Sequence, residues 1–439
     1  MVVCCDEAEG PRNKVKYRIL LLADHAQRDT PGLASLRVQL ERTLPEAVDV
    51  RICDIHLFSA MVELFHPHIV CVNHLHDTDR NRIVDKIQRR GGLCVVLPSE
   101  GRPNSDSQLE WTTQAWSPEL CDLYCSWSET VASVLYPTVR RAVTGGLRFD
   151  MYFPPLNALI KSKEEVCSIY GLDPKRPIIT IASSFPNAKF SEANTEFLVS
   201  DWKKLKVDTV KGREDPVAFV KEDKKRFDQF QAWLLILSRE RPEYQLLVKP
   251  HPAESVADWN AFCDGIGAKL MLSDFIFNLF AVSDVHVARA DCLTLPEAWI
   301  AGKRTVGTML GEELTGAGLD ATQGYTALAR NSEAFIRAID CDLKSGFEPE
   351  LRDTYIQKWL GPMPGSAKRV AEAIGSLLEE RKPVAWKEPG MIEYATLHKL
   401  LEEHSRNNAV PKADWLGQYA KTVTLEHSDW WVRAIRALS

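Results

Sequence analysis

What most constrains this chain is a rhythm that runs twice. From residue 17, short apolar runs alternate with amphipathic stretches: "YRILLLA" (17–23), "VDVRIC" (48–53), "HIVCVN" (68–73), "LCVVLP" (92–97), "DLYCSW" (122–127) and "RAVTG" (141–145). Helical spacing fills the gaps near 33–43 and 56–65 and from about Glu129. Short runs that are apolar throughout, separated by helices, predict parallel strands covered on both faces. "RFDMYFPPLN" breaks the rhythm with paired prolines. It then restarts with "PIITIAS" (177–183), "YQLLVKP" (244–250), "AKLML" (268–272), "DVHVA" (284–288) and "RTVG" (304–307).

The expected class is therefore α/β: two Rossmann-like domains facing across a cleft, with C-terminal helices packing back. A chain of 439 residues is too long for one ordinary core. The expected division is a first domain over 1–150, a linker over 151–175, a second domain over 176–365 and helices over 366–439. Phe227, Phe230, Leu234 and Leu237 mark a long helix near 222–240, and Val370, Ile374, Leu377 and Leu378 an apolar stripe in the last part. The stretch 201–225, rich in Lys, Asp and Glu, reads as a solvated insertion.

Composition removes several function classes. The net charge of −6 argues against a nucleic-acid binder, whose footprint is basic. Any anionic ligand must then be held by local groups. No stretch approaches the roughly 20 apolar residues of a membrane span, and "MVVCCDEAEGPR" has no signal-peptide core. The 11 cysteines are scattered, several inside apolar runs, where a reduced thiol behaves as a small hydrophobe. A reduced, cytoplasmic protein is expected.

Parallel sheets of this kind gather ligands at the carboxyl ends of their strands, so the loops that follow the strands carry the argument. "VKPHPAES" brings Lys249 and His251 out of a strand between prolines, with Pro252 suited to the first turn of the next helix. Lysine, imidazole and helix amides together make a phosphate grip, and the imidazole can donate to a leaving phosphate as charge builds on it. The plainer reading is a stiff loop with a solvent-facing lysine and a capping histidine. "VARADCLTLPEA" ends a strand at Arg289 and opens a helix. Thr294 offers a second phosphate cradle there and Glu297 an acceptor for ribose hydroxyls, although an ordinary capped helix explains the same residues.

"VVLPSEGRPNS" sets Glu100 beside Gly101, which allows close backbone approach. Glu100 is a general base, a nucleophile towards an anomeric carbon, or a loop carboxylate that satisfies backbone groups. "VTGGLRFD" places Arg148 and Asp150 where the domains join, either as chemistry or as a hinge with an Arg–Asp pair. "IASSFPN" puts Ser183, Ser184 and Asn187 at the end of a second-domain strand, where they can meet a phosphate. His66, His68, His74 and His76 flank one strand and are not expected to converge on a metal; "DTD" (77–79) and "DCD" (340–342) lie away from the cleft. There is no GxGxxG after a strand and no GxxxxGK[ST], so dinucleotide binding and P-loop hydrolysis lack support. The glycine-rich "GTMLGEELTGAG" (307–318) has the composition of a lid.

Taken in order, "LPSEG", "TGGLRFD", "SSFPN", "VKPHPAES" and "CLTLPEAWIAGK" resemble the bacterial surface carbohydrate biosynthesis proteins. These are GT-B-like proteins related to capsule-synthesis and ulosonic-acid (Kdo-type) transferases with a His-Pro motif. The resemblance spans roughly residues 17 to 310. Leu147 stands where such proteins often carry Pro, and Arg289, Asp291 and Cys292 replace a more usual His-Asn-Cys or Ser-Thr run. The resemblance implies a glycosyltransferase that uses a nucleotide-sugar donor, most simply a CMP-linked ulosonic acid such as Kdo or a sialic-type acid. The acceptor would be a surface glycan or its lipid-linked precursor. It implies donor contacts from Lys249, His251, Ser183, Ser184, Thr294 and Glu297, a catalytic carboxylate at Glu100, no metal cofactor, and peripheral contact with the inner membrane or a biosynthetic complex. The competing expectations are a CDP-glycerol-type polyol-phosphate transferase, a nucleotide-sugar epimerase and a non-catalytic scaffold.

Overall fold

The computed structural model describes residues 17–44, 48–103, 105–190, 195–211, 213–311, 314–321, 327–342, 349–384, 396, 399 and 425–438. Twelve strands form two six-stranded sheets, every recorded pairing parallel. The first holds β1 (Tyr17–Ala23), β2 (Val48–Asp54), β3 (Ile69–Val72), β4 (Leu93–Val96), β5 (Leu123–Ser126) and β6 (Arg141–Val143), in the order β2-β1-β3-β4-β5-β6. The second holds β7 (Ile178–Ala182), β8 (Gln245–Lys249), β9 (Lys269–Leu270), β10 (Val285–Arg289), β11 (Arg304–Thr308) and β12 (Ala327–Ala329), in the order β12-β11-β10-β7-β8-β9.

The central strands β1, β3, β4, β5 and β7 are buried throughout because both of their faces are covered. In β1, Ile19 and Leu21 enter one core while Leu20 and Leu22 enter another on the opposite face. The strand order reverses between β1 and β3 in the first sheet and between β7 and β10 in the second. Such switch points open a crevice at the strands' carboxyl ends. The helices Ser366–Glu380 and Leu425–Leu438 return to the first sheet: Val370, Ile374 and Leu377 of one, and Trp431, Val432 and Ile435 of the other, share its core with helix Ala26–Thr43. Most of the region expected as C-terminal helices between them, 385–424, lies outside the described residues. Among the described residues no helix is long and apolar enough to cross a membrane. Cys53, Cys71, Cys94, Cys121, Cys125, Cys167 and Cys263 are free thiols within the cores.

Three expectations need correction. The stretch 201–225 is not a solvated insertion. Leu198, Trp202, Val207 and Val220 bury together against Trp111 of the first half, Trp111 Nε1 donates to the Leu205 carbonyl at 3.0 Å, and Lys204 pairs with Asp79 at 2.6 Å. A charge-rich average concealed a few large apolar residues that found a partner surface. Within 151–175, helix Lys163–Tyr170 is capped reciprocally by Ser162 and Glu165 and buries Val166 and Cys167 against Ile178 and Met271.

Asp150, a candidate for catalysis, caps a helix instead. Its buried carboxylate accepts from the backbone N–H groups of Gly365, Ser366 and Ala367 at 2.9, 3.0 and 2.9 Å. Those amides open helix Ser366–Glu380 and have no partner within it. Asp150→Ala should lower stability by about 2–4 kcal/mol, since buried donors lose a charged acceptor; urea unfolding would show it as a lower midpoint at unchanged slope.

Candidate active site

The loop after β1, "DHAQRD", does most to organise the first half of the cleft, and the sequence reading passed over it. Arg28 gathers three carboxylates: Nε to Asp29 at 2.7 Å, a terminal nitrogen to Asp24 at 3.4 Å, and another to Glu100 at 2.9 Å. Burial works against its charge, but Asp29, Glu100 and Asp24 together raise it above the usual arginine range. Asp29 also accepts the backbone N–H groups of Asp24 and His25, which locks the turn. A charge cluster directly after the first strand of a parallel sheet is the signal that would have found this loop.

Glu100 is thereby aimed. Its side chain is 61% exposed, and the protein around it partly desolvates it. That desolvation is outweighed by Arg28, then His251, His25 and Arg148, which hold its carboxyl below the usual range. His251 belongs to the opposite half and lies near enough for its charge to act on Glu100. Gly101 is required by crowding: a Cβ there would lie 2.4 to 2.6 Å from atoms of the Trp127 indole. Trp127 in turn donates to the Pro98 carbonyl at 2.9 Å, and Arg102 reaches across to the Asp291 carbonyl at 2.8 Å. Behind Glu100 lies a cavity of about 180 Å³, walled by His74, His76, Trp111 and Trp116, with Arg28 and Asp24 at its edge.

In the second half a buried carboxylate sets the loops. Glu254 accepts from Ser183 Oγ at 2.8 Å, the Phe185 N–H at 2.5 Å, Trp259 Nε1 at 2.6 Å and the His251 N–H at 3.3 Å. The loops after β7 and β8 are thus tied to one point. Despite four donors, burial wins and pushes Glu254 up to about 7. The His251 ring is fixed as well: Ala253 N–H donates to its Nδ1 at 3.1 Å, so in the neutral ring the proton sits on Nε2.

The other expected donor contacts are placed differently. Lys249 is buried, its Nζ giving hydrogen bonds to the Asp274 carbonyl at 2.5 Å and to Gln27 of the first half at 3.2 Å, and burial lowers it to about 8. It therefore joins the halves at the floor of the cleft. Arg289 stacks 5.1 Å over Phe185 and binds Asp223, Asp291 and the Ser184 carbonyl. Asn187 gives its backbone N–H to Asp223. Thr294 does not cap its helix; its hydroxyl meets His286 Nε2 at 3.2 Å, in a buried network through Thr180 and Ser283. Glu297 is buried and held by Arg148 at 2.5 Å and by the Tyr152 hydroxyl at 2.7 Å. The hinge ion pair is therefore Arg148–Glu297, not the Arg148–Asp150 pair the sequence offered. Arg213 was also missed: it stacks 5.6 Å from the Phe219 ring, near enough to Asp291, Asp223 and Glu100 for their charges to act on it.

His74 and His76 stack on one another at 5.2 Å, while His68 lies apart from them. His68 Nδ1 accepts the Arg18 N–H, and His76 stacks on Trp111 at 4.0 Å. Asp77 caps helix Thr78–Arg89 and Asp340 pairs with Arg241. Among the described residues no three metal-ligating side chains come together. Of the glycine-rich stretch 307–318, Thr315 lies against Asp106 of the first half, and residues 312–313 lie outside the described set.

No family model and no curated protein matches the chain. Its fold does match solved structures. The S. aureus MnaA–UDP co-structure superposes with a TM-score of 0.52 at 13% identity, covering 84% of this chain and 100% of the other. A putative UDP-N-acetylglucosamine 2-epimerase from Listeria monocytogenes superposes at 0.51 and 14% identity, covering 85% and 100%. The architecture is GT-B-like, as the motif order implied.

Two outcomes follow. Gly101→Ala should cost about 1–3 kcal/mol by overpacking and displace Glu100, so thermal melting should fall together with activity. For Glu254, a raised folded-state pKa means the folded protein binds the proton more tightly than the unfolded chain. Its contribution is greatest below the ordinary 4.5 and is lost as pH rises to about 7, a change of up to about 3 kcal/mol. Melting of the wild type should therefore decline against Glu254→Gln across that window.

Proposed function

We propose that the cleft acts on a nucleotide-activated sugar, with Glu100 and His251 as its reacting pair. What supports this reading is a carboxylate held ionised by Arg28 on one half and, near enough for its charge to act on it, an imidazole of fixed tautomer on the other. An ionised carboxylate suits the positive charge that builds at an anomeric carbon, as base or as nucleophile. An Nε2–H donor suits the negative charge that builds on a departing phosphate.

The reading favours a UDP-linked sugar over the CMP-linked ulosonic acid implied by the motif resemblance. The S. aureus protein of similar fold holds UDP, and the Listeria protein is described as a putative epimerase of a UDP-sugar. Transfer to a glycan or lipid-linked acceptor is the leading reaction, because the aromatic-walled cavity behind Glu100 leaves room for a second substrate. Epimerisation is the second reading, supported by the fold neighbour's described activity.

Product analysis with UDP-N-acetylglucosamine, a CMP-linked ulosonic acid and CDP-glycerol, each with and without a lipid-linked acceptor, separates these. Acceptor-dependent turnover of the UDP-sugar is expected. Acceptor-free inversion of the sugar would make the enzyme an epimerase, and turnover of the CMP donor alone would overturn the UDP assignment. Glu100→Gln and His251→Ala should each lower kcat/KM by about 10²–10⁴-fold with melting unchanged; full activity in both would remove the pair from the chemistry.

A further inference from the structure

The cleft uses the carboxyl ends of the second sheet. The opposite, amino ends of β7, β10 and β11 border a separate pocket of about 470 Å³, within the range of small-molecule sites. Its charged lining is Lys163, Lys175, Arg176, Lys303 and Arg304 against one carboxylate, Asp284. That is a marked local excess of positive charge in a chain whose net charge is −6.

The single carboxylate is already committed. Asp284 accepts the Ile178 N–H at 2.8 Å and pairs with Lys163 at 3.2 Å. Arg176 spends part of its guanidinium on the carbonyls of Pro242 and Glu243. Among the described residues the half-buried Lys303 ammonium has no hydrogen bond or ion pair. It is nonetheless held in place: Gly302 turns at φ +70°, and the Lys303 N–H closes the end of helix Thr294–Ile300 on the Ala298 carbonyl. Burial acts most strongly against its charge, the Asp284 carboxylate offsets part of that, and the neighbouring Lys163 adds to it. One cation at a helix carboxyl end is explained by the helix dipole. A concave group of five, with a desolvated ammonium among them, is not.

We infer that this pocket is a second ligand site, for a phosphate-bearing anion, built by Lys163, Lys175, Lys303 and Arg304 at the amino ends of β7, β10 and β11. Compact ammonium groups bind phosphate as point charges, and Lys175 and Lys303 offer two of them in the pocket's lining. The site stands apart from the cleft by the length of the strands, about 16 Å for five residues. It does not depend on the proposed reaction. A free metabolite and a lipid headgroup both present that chemistry, and the two probes below distinguish them.

Titration calorimetry with pyrophosphate at low salt, and co-sedimentation with vesicles of phosphatidylglycerol in phosphatidylcholine, test it on the full chain. The Lys175→Ala/Lys303→Ala variant should lose at least tenfold in affinity for whichever probe the wild type binds at this site, with melting unchanged. Loss confined to pyrophosphate assigns a free phosphate compound, and loss confined to vesicles assigns a lipid headgroup. An unchanged isotherm and unchanged sedimentation in the variant would overturn the site, as would a wild type that binds neither probe. A failure here leaves turnover in the cleft untouched, and failure of the cleft reading leaves these titrations unchanged.

Discussion

The ion pair between Arg148 and Glu297 bridges the two halves at the point where the chain passes from one to the other. Glu297 is 2% exposed at its side chain and Arg148 15%, so neither charge has water to fall back on. Tyr152 completes the acceptor's coordination from the same hinge segment. Breaking such a pair strands a buried charge at a cost of about 3–5 kcal/mol. The relative placement of Glu100 and His251 depends on that joint. Gln27 to Lys249, Arg102 to Asp291 and Trp111 to Leu205 add further ties across the interface.

Given that joint, each half sets its reacting group with a charged hub of opposite sign. Arg28 collects carboxylates after β1 and aims Glu100. Glu254 collects N–H and O–H donors from the loops after β7 and β8 and anchors the His251 turn. Both hubs lie by the strand-order reversal of their sheet, where diverging loops leave room for a ligand. The crowding of Gly101 against Trp127 holds the Glu100 loop to one path.

Much of this scaffold was legible. Eleven of the strands follow from short, largely apolar runs at helix-length spacing, because a parallel sheet's inner strands must be covered on both sides. The short strand Ala327–Ala329 carried too little pattern to be seen. The loops of interest were legible too, since they follow strands. The role of each polar residue was not. Lys249, Arg289 and Glu297 were all expected to face a ligand, and each instead meets a partner far away in sequence, 222, 66 and 149 residues off. Arg28 was overlooked for the converse reason: its importance comes from Glu100, 72 residues away.

The sequence by itself determined the two sheets, their parallel sense and the loops at their carboxyl ends, because burial on both faces and helix-length spacing are local properties. Only the tertiary structure decided which carboxylates serve the scaffold and which face the cleft. Asp150 caps a distant helix, Glu297 closes the hinge, Glu254 sits buried among donors, and Glu100 stays exposed beside Arg28. A carboxylate's role follows from the charges and amides that surround it, and those arrive from parts of the chain that no local pattern connects.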